Sequence, residues 1–136
     1  FLRPREDDGA LRSAHDLAHA VHLDSVAGQL VSELSHGEQR QLEIGMALAG
    51  APRRILFDEP AAGLSPAERR ELVQILDALP RHMSFVIIEH DLDVALRVVD
   101  RVTVMHNGMI FKHGTPAEIQ DDPDVQRIYL GGGRHG

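Results

Sequence analysis

Two short apolar runs that both end in charged residues constrain the fold more than any other feature. Ile55, Leu56 and Phe57 run into Asp58 and Glu59, and Ser84 to Ile88 run into Glu89 and His90. Runs of this length, apolar and partly β-branched, suit strands covered on both faces. Between them lies a helix signal. Ser65 stands as N-cap, Pro66 at the first helical position and Glu68 three residues after the cap, followed by an apolar stripe of Leu72, Ile75, Leu76 and Leu79 that Pro80 closes. Strand, helix and strand of these lengths predict a parallel pair joined by a crossover, hence an α/β sheet. Such sheets hold ligands beyond the carboxyl ends of their strands, where Asp58, Glu59, Glu89 and His90 all fall.

The flanking segments extend this pattern. Residues 1–33 are polar with modest helical periodicity through Leu11, His15, Leu17, Ala18, Ala20, Val21 and Leu23, which predicts one or two short helices. Ser35 opens a stronger helix, with Leu42, Gly45, Met46 and Ala49 spaced as one buried stripe before Pro52 stops it. After His90, Asp91 is placed to cap a helix through Leu92, Ala95, Leu96 and Val99. Arg101–Met105 and Met109–Lys112, with Asn107-Gly108 between them, predict a hairpin and an antiparallel edge. Thr115, Pro116 and Glu118 start a short helix, Pro123 to Leu130 form another, and the GGGRHG tail frays.

Composition removes several classes. The 136 residues contain no Cys, which excludes disulfides, a thiolate zinc site and a cysteine nucleophile. The longest run without a polar side chain, Ile44–Pro52, falls far short of the ~20 apolar residues that span a bilayer. The net charge of −7, with acidic residues scattered throughout, has none of the clustered Lys and Arg of a nucleic-acid footprint, so no nucleic-acid partner is expected. The opening FLRPREDDG has no starting Met and no apolar signal region, so it reads as neither a targeting peptide nor a natural start.

RRILFDEP has the form of a Walker B element, in which a strand delivers one carboxylate, Asp58, toward the water shell of Mg²⁺ and the next, Glu59, toward a water that attacks phosphate. Solvated carboxylates closing a turn look the same, and the pair alone leaves both readings open. The surrounding order decides between them. LSHGEQ at Leu34–Gln39, ILFDEP, AAGLSP and IIEHD follow one another along the chain. That succession resembles the signature, Walker B, D-loop and switch motifs of ATP-binding cassette (ABC) ATPases. The resemblance spans roughly residues 10–130. RQLEIGMALAGAP, DEPAAGLSP and GTPAEIQDDPDVQRIYLG resemble most closely the ATPase subunits of branched-chain amino acid importers.

The resemblance implies a fold, a chemistry and partners. The fold is the C-terminal portion of an ABC-type P-loop NTPase domain: residues 1–50 part of the helical subdomain with the signature, residues 51–136 the C-terminal part of the ATPase core with a family-typical tail. The ligands are ATP and Mg²⁺. Asp58 serves the metal through water, Glu59 and His90 act on the attacking water and the γ-phosphate, and the signature residues Ser35, His36, Gly37, Glu38 and Gln39 face nucleotide held by a second ATP-binding subunit. Ser65 belongs to the D-loop, where the family commonly has Asp or Asn, and His36 stands where the family usually has glycine. The partners are that second subunit and transmembrane permease subunits, at the cytoplasmic face of the membrane. A signature serine at a helix start is chemically apt, since capping and anion binding use the same open amides. Other readings are an ABC ATPase of another system, such as lipopolysaccharide export, and a non-enzymatic metal-binding α/β domain.

The phosphate-cradling run G-x-x-x-x-G-K-[ST] does not occur in these residues, and the only lysine, Lys112, follows Phe111 in the late hairpin. The resemblance therefore predicts that the full-length parent is an ATPase, while this length of chain alone binds nucleotide poorly and hydrolyses none.

Overall fold

The computed structural model describes residues 8–130, which fall into two compact units dividing after Glu89. The expected tail, Gly131–Gly136, and the opening Phe1–Asp7 lie outside the described residues, as does the side chain of Leu11.

The first unit begins with helix α1 (Asp8–Ala20), two 3₁₀ turns (Asp24–Val26 and Val31–Glu33) and helix α2 (His36–Ala49). Strand β1 (Arg54–Asp58), helix α3 (Pro66–Asp77) and strand β2 (Ser84–Ile88) follow. The two strands pair in parallel, Arg54 with Ser84 through Asp58 with Ile88, so the expected strand–helix–strand crossover is present. Ser65 caps α3 as its sequence requires, with Pro66 in the first turn and Glu68 completing the capping box. Leu72, Ile75 and Leu76 are fully buried, and with Val21, Leu23, Ile44, Phe57, Ala61 and Leu64 they make the apolar interior of this unit. The Phe57 and Phe85 rings meet edge to face at 5.9 Å on the inner side of the strands.

Two expectations need correction. The strands are not covered on both faces: Ile55 and Phe57 point inward, but Leu56 is 65% exposed, Val86 63% and Ile88 50%. In-register parallel pairing puts these three on one face with Asp58, and the crossover helix can cover only the other face. Helix α2 is also less buried than its stripe suggests. Gly37, Ile44 and Gly45 are buried, whereas Met46 is 68% exposed and Ala49 is exposed. The segment ending α1 packs close against it at one point: a Cβ on Gly45 would sit 3.2 Å from Val21 Cγ2.

The second unit holds helix α4 (Leu92–Val98), strands β3 (Val102–His106) and β4 (Met109–Gly114), and helices α5 (Pro116–Gln120) and α6 (Pro123–Leu130). Asp91 caps α4, its carboxylate accepting from the Asp93 and Val94 amides at 3.0 and 3.3 Å. Asn107 and Gly108 take φ of +50° and +76°, the left-handed pair that a two-residue hairpin turn demands. The expected antiparallel edge is thus a two-stranded sheet of its own, with a register irregularity between Val104 and Met105. Val104, Ile119 and Val125 are its buried centre, flanked by Leu96, Val102 and Tyr129.

Candidate functional site

Strand β1 carries Asp58 to its last position, and the ladder continues one residue further, the Glu59 amide donating to Ile88 O at 2.8 Å. Both carboxylates are exposed at that rim. Glu59 has φ +45°, a left-handed conformation that costs a non-glycine residue on the order of 1 kcal/mol or more. The chain turns sharply there into Pro60 and Ala61, both buried. The Ala61 amide donates to Glu89 Oε1 at 2.7 Å, so the carboxylate ending β2 braces the loop that follows β1. Glu59 and Glu89 therefore share one rim, as the crossover predicts. His90 is the first residue of the second unit, in the bend before α4, and is exposed.

The Leu34–Gln39 segment is the start of α2. Ser35 has extended dihedrals (φ −61°, ψ 164°), its Oγ accepts from the Glu38 amide at 3.3 Å, and its own amide donates to Glu38 Oε2 at 2.7 Å. Gln39 Nε2 donates to Leu34 O at 3.0 Å, closing the turn from the other side. His36 is exposed and its Nε2 lies 3.4 Å from Ala62 O, a long contact in which the imidazole donates. Gly63, at φ +75°, leaves room for that ring: a Cβ there would stand 3.1 Å from His36 Nε2.

Glu68 reaches the same turn from α3. One carboxylate oxygen, Oε2, accepts from the Ser65 amide at 2.7 Å; the other, Oε1, accepts from the Gly37 amide at 3.1 Å. The Ser65 hydroxyl chiefly, then the Ser65 and Gly37 amides and the nearby His36 imidazole, hold the Glu68 carboxyl below the ordinary glutamate range. A cleft of about 360 Å³ opens here between α2 and α3, lined by Ser35, Gly37, Arg40, Glu68 and the His22–Glu71 pair, whose Nδ1 and Oε2 are 2.7 Å apart. Sequence reasoning found Glu68 only as a cap. Its second oxygen bridges 31 residues of chain, and no local pattern encodes that reach. It missed Glu89 as a brace for the same reason, although its place after a strand marked it.

Glu68 has two counterparts in the second unit. The Thr115 amide and hydroxyl hold Glu118 low, and Asp122 is held low first by Lys112, whose ammonium it meets at 2.9 Å. Carboxyls depressed in the folded state stabilise it above their ordinary values of 4.5 for glutamate and 3.8 for aspartate, and that contribution is lost as pH falls through the lowered values. Thermal unfolding followed by circular dichroism is therefore expected to show a melting temperature that declines as pH falls below these ordinary values. In a Glu68→Gln, Glu118→Gln, Asp122→Asn variant that acid limb is expected to be shallower.

Comparison with known proteins sets this geometry in a family. A family model described as "ABC transporter" matches residues 4–62, covering both the α2 start and the β1 end, and one described as "Branched-chain amino acid ATP-binding cassette transporter" matches residues 113–135. The chain belongs to the ATP-binding cassette family. This cassette is 37% identical over 129 residues, 93% of its length, to the high-affinity branched-chain amino acid transport ATP-binding protein LivG of Salmonella typhimurium, of which it covers 51%. It is 35% identical over 119 residues, 87% of its length, to the lipopolysaccharide export system ATP-binding protein LptB of Escherichia coli, covering 49% of that protein. Among solved structures it superposes on the ADP conformation of MJ1267, an ATP-binding cassette of an ABC transporter, with a TM-score of 0.78 and 32% identity, over 94% of this chain and 52% of the other. The cassette thus spans about half the length of the curated relatives it matches. Its expected fold class, part of an α/β P-loop NTPase domain of ABC type, holds.

Proposed function

We propose that this cassette is the signature- and Walker B-bearing part of the ATP-hydrolysing, energy-coupling subunit of an importer for branched-chain amino acids or related small solutes. The observation that carries the reading is the match of residues 113–135 to the branched-chain amino acid cassette model, joined to a relative named for that transport that aligns over 93% of the chain. The full-length ATPase works in this reading with a second ATP-binding subunit and with transmembrane permease subunits, peripherally at the cytoplasmic face of the membrane. Among the described residues, no helix is long and apolar enough to cross a membrane. Residues 1–50 contribute to the helical subdomain and residues 51–136 to the ATPase core.

The residues present suit Mg²⁺ and ATP. Among the described residues no three His, Asp or Glu side chains gather into a metal cage. Mg²⁺ in nucleotide sites asks for less, taking one or two protein carboxylates and completing its shell with water and phosphate oxygens. Asp58, exposed at the end of β1, is such a carboxylate and would hold the ion through water. At the start of α2 the Gly37 amide is taken by Glu68 Oε1, and the Ser35 hydroxyl, which accepts from the Glu38 amide, has its own proton to donate to a phosphate oxygen. Bound there, Mg²⁺-ATP would supply the phosphoryl group and the charge neutralisation its transfer needs. Glu59 is the general base for the attacking water, its backbone fixed by the Ile88 carbonyl, and His90 orients that water and the γ-phosphate. Ser35, His36, Gly37, Glu38 and Gln39 face nucleotide of the partner subunit, and Ser65 couples the two sites through the D-loop.

Similarity to LptB keeps a second reading, lipopolysaccharide export, in view. Proteoliposomes containing the full-length ATPase and its permease subunits decide between them. ATP-dependent accumulation of labelled leucine, isoleucine or valine is the expected result. ATP hydrolysis stimulated by lipopolysaccharide, with no amino acid taken up, would overturn it.

A further inference from the structure

The carboxylate of Glu68 is shared between two segments that the motif order keeps apart. Through Oε2 it holds the Ser65 amide at the start of α3, and through Oε1 the Gly37 amide in the first turn of α2. The contact is close-packed: a Cβ built on Gly37 would lie 2.7 Å from both Cγ and Cδ of Glu68 and would overlap its Oε1. Gly37 is therefore buried against Glu68, and any side chain here would have to displace the Glu68 carboxylate. A second tie runs parallel to the first, from the His36 ring to Ala62 O beside Gly63. Each tie crosses from the signature turn to the turn before α3.

We infer that Glu68 is a positioning residue, a two-ended clasp that fixes the signature turn Ser35–Gln39 to the D-loop Ala61–Ser65 within one subunit, so that the two move as one body. The physical basis is that a charged acceptor makes hydrogen bonds about twice as strong as a neutral one, and one rigid carboxylate cannot serve both amides unless the two turns keep a fixed separation. His36, where glycine is the commoner residue of the resemblance, adds a second point of attachment and places a cationic partner near the clasp when protonated. The charged and titratable groups facing Glu68 in the cleft are His36, Glu38 and Arg40 from α2, Glu71 from its own helix and His22 from the turn after α1. The clasp itself is independent of what the cassette transports. Its consequence for turnover rests on the reading of Ser35–Gln39 as the nucleotide-facing turn.

The test is amide hydrogen exchange followed by ¹⁵N NMR in the full-length ATPase, with turnover measured alongside. Glu68→Ala is expected to speed exchange of both the Gly37 and Ser65 amides roughly tenfold or more, while the Leu72 and Ile75 amides stay protected. Glu68→Gln is expected to release one of the two and not both, because an amide side chain carries only one acceptor atom. Should Glu68→Ala unfold the protein, Gly37→Ala reaches the same point from the other side, since its Cβ displaces the carboxylate and should expose the Ser65 amide. In turnover, Glu68→Gln is expected to lower kcat with KM for ATP unchanged, as a misplaced signature turn affects the closed state and not first binding. Unchanged Gly37 exchange in a folded Glu68→Ala protein would overturn the clasp. A wild-type protein that hydrolyses no ATP would instead overturn the proposed function, and the exchange data would still decide the clasp.

Discussion

Glu59→Gln is expected to lower ATP hydrolysis by the full-length protein about 10²- to 10⁴-fold while leaving ATP binding intact, because it removes the proposed general base without removing a phosphate contact. The geometry around Glu59 sharpens this expectation. Its amide is pinned to Ile88 O, the loop after it is held by Glu89 through the Ala61 amide, and its backbone is left-handed. A side chain presented on a turn held at two points keeps its direction when only its charge is altered, so Gln should occupy the same place. Asp58→Asn is expected to act differently, raising the Mg²⁺ concentration needed for half-maximal activity. Hydrolysis by Glu59→Gln at near the wild-type rate, measured as phosphate release at saturating Mg²⁺-ATP, would remove Glu59 from the chemistry.

Much of the local structure around that residue could be read from the chain. The caps at Ser35, Ser65, Asp91 and Thr115 follow from short-range side-chain chemistry, and each is found with its partner. The parallel strand pair was equally legible, since its two apolar runs and the helix between them leave only one economical connection. What could not be read is which faces and which second partners those elements find. Leu56, Val86 and Ile88 have the side chains of a buried strand yet stand exposed, because covering them takes an element that a periodicity argument assumes without locating. Met46 fails in the same way: it has the right spacing for a buried stripe, yet the buried positions of its helix are Gly37, Ile44 and Gly45, and Met46 is exposed. At the candidate site, the motif order picks out Ser35, Gly37, Asp58 and Glu59, but Glu68 and Glu89 act through oxygens that cross from one element to another. Such links are decided by packing, where a difference of one rotamer changes the partner.

Gly37→Asp is expected to abolish the contribution of the signature turn to the nucleotide site it serves, a loss of about 10²- to 10³-fold if the turn acts on phosphate charge as an oxyanion contact does. An acidic residue in the first turn of a helix is ordinarily favourable, so the sign of this effect depends on what lies around Gly37. Here the new Cβ would displace the Glu68 carboxylate, and the new charge would stand beside that carboxylate and before the phosphate. Because the signature is proposed to serve nucleotide on the partner subunit, mixed dimers separate the two possible arrangements. With Gly37→Asp in one subunit and the P-loop lysine of the full-length protein replaced in the other, both lesions fall in a single composite site and one intact site remains, so hydrolysis should persist. With both changes in one subunit and a wild-type partner, each site carries one lesion and hydrolysis should fall to the residual level. The reverse ranking, activity only when both changes share a subunit, would show that Ser35–Gln39 act on nucleotide held by their own chain and would end the trans assignment.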